Sequence, residues 1–352
     1  MIKTFFLEPI VIKFLSIAFL WMIAGHAAAM PASANLPATF TGTLPCASCE
    51  GIETRITFQA DNTFFMTQTY VGQAGPNRAD DLGRWVMSEY GNIAVLKGQR
   101  GDVRYFRMDA PDALHMLDIE GRTIHSKLNY TLRRATQPDA IDLKLFPLNG
   151  EYQYLADAGL FKECTSGLVF PVMQAGDNAR LESAYLAMRQ EPGRPVSASA
   201  YGQIKMAPGA EEGSRERPSL LPLRFESVEH GSCGPLLTAA ELSDQFWTLV
   251  QLNGKPVVLP ENQRAPGLTF HAENNRLSGS GGCNQLVGAY TVNQRLIDIN
   301  MLAATRMACF HDSDIEQEFM RTLGQVKSWN ILGQRLELYD QLGSMLARFE
   351  LP

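Results

Sequence analysis

The sequence predicts a mainly β protein of three units: a small antiparallel barrel, a second compact barrel with a helix, and an α+β unit with one helix on an antiparallel sheet. Three observations carry that expectation. Short runs of strand-forming residues recur at close spacing up to about residue 137, most of them separated by turns containing Gly or Asp. The pattern breaks at Thr136-Gln137-Pro138-Asp139. In the last third, strand-like runs surround one clear helical period between Ser313 and Val326.

The first unit, 36–138, opens its strand series with Thr54-Arg55-Ile56-Thr57-Phe58, turns at Asp61-Asn62, and returns through Thr63 to Tyr70. Gly83 to Met87, Asn92 to Leu96, Val103 to Met108 and Ala113 to Asp118 continue the series with no helical period between them. An antiparallel meander closing into a small barrel follows from that order. The second unit, 143–235, is expected to have shorter strands, an amphipathic stretch from Ala179 to Arg189, and a polar excursion from Pro208 to Arg217. The third unit, 240–352, has strand-like runs around Trp247, Leu268 to Phe270, Leu336 to Leu338 and Leu346 to Phe349. Its helix is expected to start at Ser313, with Glu316 completing a capping box and Ile315, Phe319, Leu323 and Val326 on one apolar face.

Apolar content of 45% and charged content of 19% describe a globular chain, and 352 residues suit two or three domains. Net charge is −6, with no block of Lys or Arg against it, so nucleic acid is not expected as a partner. Residues 1–34 read as a secretory signal: Lys3 and Lys13 precede the apolar run Phe14 to Ala24, and small residues follow, with cleavage after Ala29 or Ala34. That uncharged run is short of the ~20 residues that a spanning helix needs. An uncleaved inner-membrane anchor would have to bury Glu8 and Lys13 and is the lesser reading. No cysteine lies near the signal end to take a lipid, so a monomer that is periplasmic or secreted is expected.

All six cysteines lie beyond the signal, and their positions pair them within the units: Cys46 with Cys49, Cys164 with Cys233, and Cys283 with Cys309. The last two pairs read as structural staples, because no paired His accompanies them. Cys46-Ala47-Ser48-Cys49 admits three readings. A disulfide across so short a loop restricts the unfolded chain by only about 2 kcal/mol or less. Two reduced thiolates would suit Cu(I), with Met66 and Met87 as thioether candidates and His115 and His125 as the imidazoles of the same unit. A thioredoxin-like exchange pair would need a cysteine at a helix start, and strands surround this motif. No catalytic residues are expected. Ser278 to Asn284 is glycine-rich but lacks the Gly-Lys-Ser/Thr ending of a phosphate loop, and Ser280 is not in a nucleophile elbow.

Longer patterns resemble known families. Phe40 to Thr54 with its central Cys46 and Cys49, then Asp61-Asn62-Thr63-Phe64 and Gly83-Arg84-Trp85, resembles the N-terminal domain of the NlpE copper-resistance lipoproteins. Leu148 to Tyr152, Ala156-Asp157-Ala158, Phe161, Cys164 and Phe170-Pro171-Val172 resemble that family's C-terminal OB-like domain. Trp247-Thr248-Leu249, Leu252-Asn253-Gly254, Arg276 to Asn284 and Thr305 to Cys309 resemble the META domain of HslJ-type proteins. The resemblance implies a non-enzymatic Gram-negative envelope protein, in copper-linked homeostasis or envelope stress sensing, with an envelope sensor or outer-membrane proteins as partners. Copper is the one cofactor it implies, at Cys46 and Cys49. It departs from the pattern in having no lipobox cysteine, which touches outer-membrane anchoring. Two other readings stand beside it: a lipocalin-like barrel holding a small apolar ligand, and a structural envelope-integrity protein of the heat-shock and antibiotic-tolerance type.

Overall fold

The computed structural model describes residues 36–75, 77–89, 92–209, 213–258, 264–307 and 314–351. The expected signal segment 1–34 lies outside the described residues, as do Cys309 and Ser313. The described residues form one compact unit.

Eight strands make the first barrel in strict sequence order: β1 (Ala38–Leu44), β2 (Gly51–Phe58), β3 (Thr63–Val71), β4 (Arg78–Met87), β5 (Ile93–Gly98), β6 (Val103–Ala110), β7 (Ala113–Met116) and β8 (Thr131–Arg134). Antiparallel pairing of β1 with β8 closes it. Alternation decides what lies inside. Phe40, Phe58, Phe64, Met66, Trp85 and Phe106 are all buried in one interior cluster. Phe58 stands edge-on to Phe40 at 5.9 Å and to Trp85 at 5.2 Å between ring centroids. At one place the filling is polar. Asp81 on β4 is 3% exposed and accepts bonds from the backbone N–H of Leu82 and of Gln99 and from Arg104 Nη1 at 2.9 Å. Gly98 makes this room, since a Cβ there would lie 2.1 Å from the Asp81 carboxylate.

The second barrel comprises β9 (Asp142–Leu155), β10 (Ala158–Glu163), β11 (Val169–Val172), α1 (Asn178–Met188), β12 (Val196–Ala207) and β13 (Arg217–Glu229). The order β10-β11-β13-β12-β9 closes through β9–β10, with β11 and β13 parallel at Val172–Leu220. These strands include the longest in the chain, where shorter ones were expected. Register shifts around Ser199 to Ile204 mark irregular pairing of β12 with its two neighbours, yet its burial alternates without a break from Val196 to Lys205; the inward residues Ala198, Ala200 and Gly202 are too small to give a strong strand signal. The polar stretch from Pro208 joins β12 to β13, and residues 210–212 of it lie outside the described residues.

The third unit contains β14 (Phe246–Leu252), β15 (Lys255–Pro256), β16 (Gly267–His271), β17 (Arg276–Ser280), β18 (Gln285–Asn293), β19 (Leu296–Ala304), α2 (Asp314–Leu323), β20 (Ser328–Leu332), β21 (Arg335–Tyr339) and β22 (Met345–Glu350). Its antiparallel sheet curls back on itself through β14–β22, with a thin seam where β19 meets β20 at Leu296–Ser328. Helix α2 packs Phe319 and Leu323 into the enclosed core around Trp247, and Val326 joins them just past the helix end.

The three units share interfaces. Phe65 and Leu82, on the outside of the first barrel, are covered by Ile141 and Leu143 from the start of the second. Asp80, 4% exposed, accepts from the Lys144 backbone N–H at 2.6 Å and from Arg78 Nε at 2.8 Å at that junction. Val86, Val95, Tyr105 and Leu117 form a separate outer cluster with Leu237 and Leu332 from beyond the second barrel.

Candidate functional site

The candidate site is the loop from β1 to β2 at one mouth of the first barrel, where Cys46 and Cys49 are joined in a disulfide with their Cα atoms 5.3 Å apart. Leu44, buried, ends β1, and Gly51 starts β2 where any larger residue would collide with Thr43 Cγ2 at 2.5 Å. The loop is braced on both sides. Glu50 N–H donates to Val71 O at 3.1 Å, and Asn129 Nδ2 donates to Thr43 O at 3.1 Å. Both cysteines are half-buried, and Cys49 Sγ lies 3.4 Å from the Gly51 carbonyl oxygen.

Of the other residues considered for a metal, Met66, Met87 and His115 are placed elsewhere. Met66 is 2% exposed in the barrel interior, paired across the strands with Ile56 and Asp81, with Arg104 Nη1 3.9 Å from its sulfur. Met87 ends β4 beside Ala94, at the mouth opposite the cysteine loop. His115 shares a hydrogen bond of 3.1 Å with Thr131 Oγ1 on the barrel wall, and His125 is exposed in the long loop from β7 to β8. Among the described residues, no group of three or more His, Cys, Asp or Glu side chains is arranged to hold a metal ion.

Cys164 and Cys233 form the second disulfide, with Cα atoms 5.0 Å apart, tying the β10–β11 corner to the strap that leaves β13. Two carboxylates that the sequence did not single out brace it. Glu163, fully buried, accepts from the backbone N–H of Thr165 at 2.7 Å and of Ser166 at 2.6 Å. Glu151 accepts from Cys233 N–H at 2.8 Å and pairs with Lys162 at 3.1 Å. The Cys233 amide and then the Lys162 ammonium hold the Glu151 carboxyl below its ordinary value. Cys283 is disulfide-bonded, and its expected partner Cys309 lies outside the described residues. Glu316 of α2, expected as the capping-box acid for Ser313, which lies outside the described residues, reaches the Gly281–Asn284 loop. It accepts from Asn284 N–H at 2.8 Å and from Asn284 Nδ2 at 2.7 Å.

A second set of polar groups that spacing did not reveal lies where the third unit meets the first barrel. Arg335 sits over the Tyr105 ring at 4.8 Å and donates through Nη2 to the Glu120 carbonyl oxygen at 2.8 Å. Arg348 pairs with Glu120 of the barrel and with Glu337 of its own sheet, the latter at 3.0 Å. Burial raises the Tyr105 phenol above its ordinary value, against the pull of Arg335.

Comparison with known proteins gives three matching families: the NlpE N-terminal domain over residues 40–127, the NlpE C-terminal OB domain over 143–228, and the META domain over 240–352. Lipoprotein NlpE of Escherichia coli (strain K12) is 36% identical over 180 residues, which cover 51% of this chain and 73% of the relative. Among solved structures, the Cpx pathway activator NlpE from Escherichia coli is 32% identical, with 55% of this chain and 96% of that chain covered and a TM-score of 0.24. A putative lipoprotein from Shewanella oneidensis is 33% identical over 29% of this chain and 90% of its own, with a TM-score of 0.26.

Proposed function

The chain belongs to the NlpE family, and from that membership we propose that it is a non-enzymatic exported protein that reports envelope stress to a membrane sensor, as an activator of the Cpx type. The observation that carries this reading is the 36% identity to lipoprotein NlpE over 180 residues. The interior of the first barrel is filled by aromatic side chains, which disfavours the alternative of a barrel that encloses a small apolar ligand. Expression of the chain in an Escherichia coli strain lacking its own NlpE, carrying a Cpx-responsive reporter, is expected to raise reporter output severalfold. Silence of the reporter with folded, exported protein present would refute the reading.

The finer part of the proposal is a link to copper through Cys46 and Cys49. Once their bridge is reduced, two soft thiolates three positions apart suit Cu(I), and the strands on either side keep them together. They would act as a two-thiolate site, since Met66 and His115 are engaged elsewhere. Anaerobic titration of the reduced protein with Cu(I) is expected to show tight binding that Cys46→Ser/Cys49→Ser abolishes. Equally weak binding by both proteins would remove the metal claim and leave the signalling reading standing.

A further inference from the structure

The outward positions of the first barrel are divided by chemistry. On β1, β2, β7 and β8 they include Thr41, Thr43, Glu53, Arg55, His115 and Arg133, a polar surface suited to water. On β4, β5 and β6 Arg84, Lys97, Arg107 and Asp109 continue that polar surface, but one cross-strand row, Val86, Val95 and Tyr105, is apolar, and Leu117 extends it. Exposed together, these four side chains would make an apolar patch on the order of a few hundred Å², a size that on soluble proteins marks a contact surface.

What covers this patch is small. The β20–β21 turn brings Leu332 and Gly333, and the strap before the third unit brings Leu237. Gly333 lies at φ +69°, where a Cβ would come 3.4 Å from Val95 Cγ1. Arg84 Nε holds the strap at the Leu237 carbonyl, 3.2 Å away, and Ala240 N–H donates to Gly333 O at 2.9 Å. Charges ring the contact. Arg335 covers Tyr105, and Arg348 reaches Glu120.

The distribution of those charges makes the contact separable. Glu337, 4% exposed, pairs with Arg335 at 3.2 Å and with Arg348 at 3.0 Å, all three within the META sheet. If the META domain lifts away, both arginines keep their carboxylate, and Glu120 meets water. No unpaired charge is stranded in a core, which is the cost that makes ordinary buried ion pairs permanent.

We propose that the outer face of β4–β6 is a docking surface for a partner protein presenting an apolar side chain beside an arginine, and that the META hairpin occupies it in cis until displaced. The cis occupant supplies the recognition chemistry: an apolar tip for Val86 and Val95, and a guanidinium for the Tyr105 ring and the Glu120 carboxylate. The proposal rests on the signalling reading above and names where that signal is held back.

The test uses the full chain with Leu332→Asp, or with Arg335→Ala/Glu337→Gln/Arg348→Ala, which loosens the same contact independently without leaving the buried Glu337 charge unpaired. With Val95→Cys added, maleimide labelling at position 95 is expected to be at least tenfold faster in both opened forms than in the otherwise native chain. In cells, with Val95 retained, both are expected to raise an envelope-stress reporter at least threefold above the native chain at equal protein level. Adding Glu120→Ala to Leu332→Asp is expected to remove that gain. Labelling no faster than in the native chain overturns the proposal, as does faster labelling without a gain while overproduced native chain activates the reporter. A gain that survives Glu120→Ala overturns the stated partner chemistry. Silence of the reporter with native and opened chains alike overturns the signalling reading itself.

Discussion

Replacing Glu316 by Gln separates an acceptor role from mere size. The carboxylate receives two close bonds from Asn284, one from its backbone N–H at 2.8 Å and one from Nδ2 at 2.7 Å, with the Cys283 N–H further off at 3.4 Å. All three groups are donors, so the site calls for acceptors alone. A carboxamide has one acceptor oxygen and must set its own N–H₂ against a donor of Asn284. Bonds to an ionised acceptor contribute about 1.5–3 kcal/mol each. At the lower end for a half-buried group, losing both costs roughly 3 kcal/mol in Glu316→Ala, and Glu316→Gln should come close to it. For a unit spanning 240–352, 1 kcal/mol shifts the melting temperature by about 4 °C, so a fall of roughly 12 °C is expected. Thermal melts followed by circular dichroism would measure it. A Gln variant melting within about 1 °C of the native protein would show that shape, not acceptor chemistry, holds the loop.

Other consequences follow from the same bonds. Breaking Cys164–Cys233 by double Ala substitution should lower stability by about 4 kcal/mol, because its loop spans 69 positions, while Cys46→Ala/Cys49→Ala should cost about 2 kcal/mol or less. Equal melting shifts for the two pairs would contradict the chain-entropy ranking. Asp81→Ala leaves Arg104 without its interior carboxylate and two backbone donors unmet, a loss of about 3 kcal/mol in urea unfolding. A change under about 1 kcal/mol would mean that water replaces the carboxylate. Glu151 has its pKa depressed in the folded state by the Cys233 amide and Lys162, so its contribution is present above its ordinary value of 4.5 and lost as pH falls through the folded value. Glu151→Gln should therefore flatten the acid limb of a melting-temperature profile, and an unchanged limb would refute that role.

The legible parts of the fold are those fixed by local periodicity. The Asp61-Asn62 turn is such a case. Asn62 takes φ 65° and the Asp61 carboxylate accepts from Thr63 N–H at 3.0 Å, so the hairpin from β2 to β3 follows from two residues. Helix α2 was likewise readable from Ile315, Phe319 and Leu323, because a 3.6-residue period has no alternative in that stretch. Gly282, at φ +112°, is a position where the tight turn after β17 needs a glycine. What periodicity could not supply was the use of Glu316. A capping box and a clamp on a distant loop present the same residue at the same position, and only the third dimension brings Asn284 to it.

The interfaces between the units left a fainter trace, and it lies in failed alternation. A barrel strand with one face in water should read apolar at every second position. Ile93-Ala94-Val95-Leu96 and Phe64-Phe65-Met66 instead run apolar through both phases. One phase fills the barrel, as Ala94, Leu96, Phe64 and Met66 do. The other has to be covered from outside, and its two covers differ in kind. Phe65 and Leu82 are met by Ile141 and Leu143, directly after the Asp139 carboxylate that grips Arg55 at 2.6 Å, so the chain cannot leave the first barrel without covering them. Val95 and Tyr105 are met by Leu332, more than two hundred residues later, through a hairpin tip and a ring of charges. The first cover is part of the connection between the barrels. The second is a contact between finished surfaces, which is why the same broken alternation marks a fixed joint at Phe65 and a displaceable one at Val95.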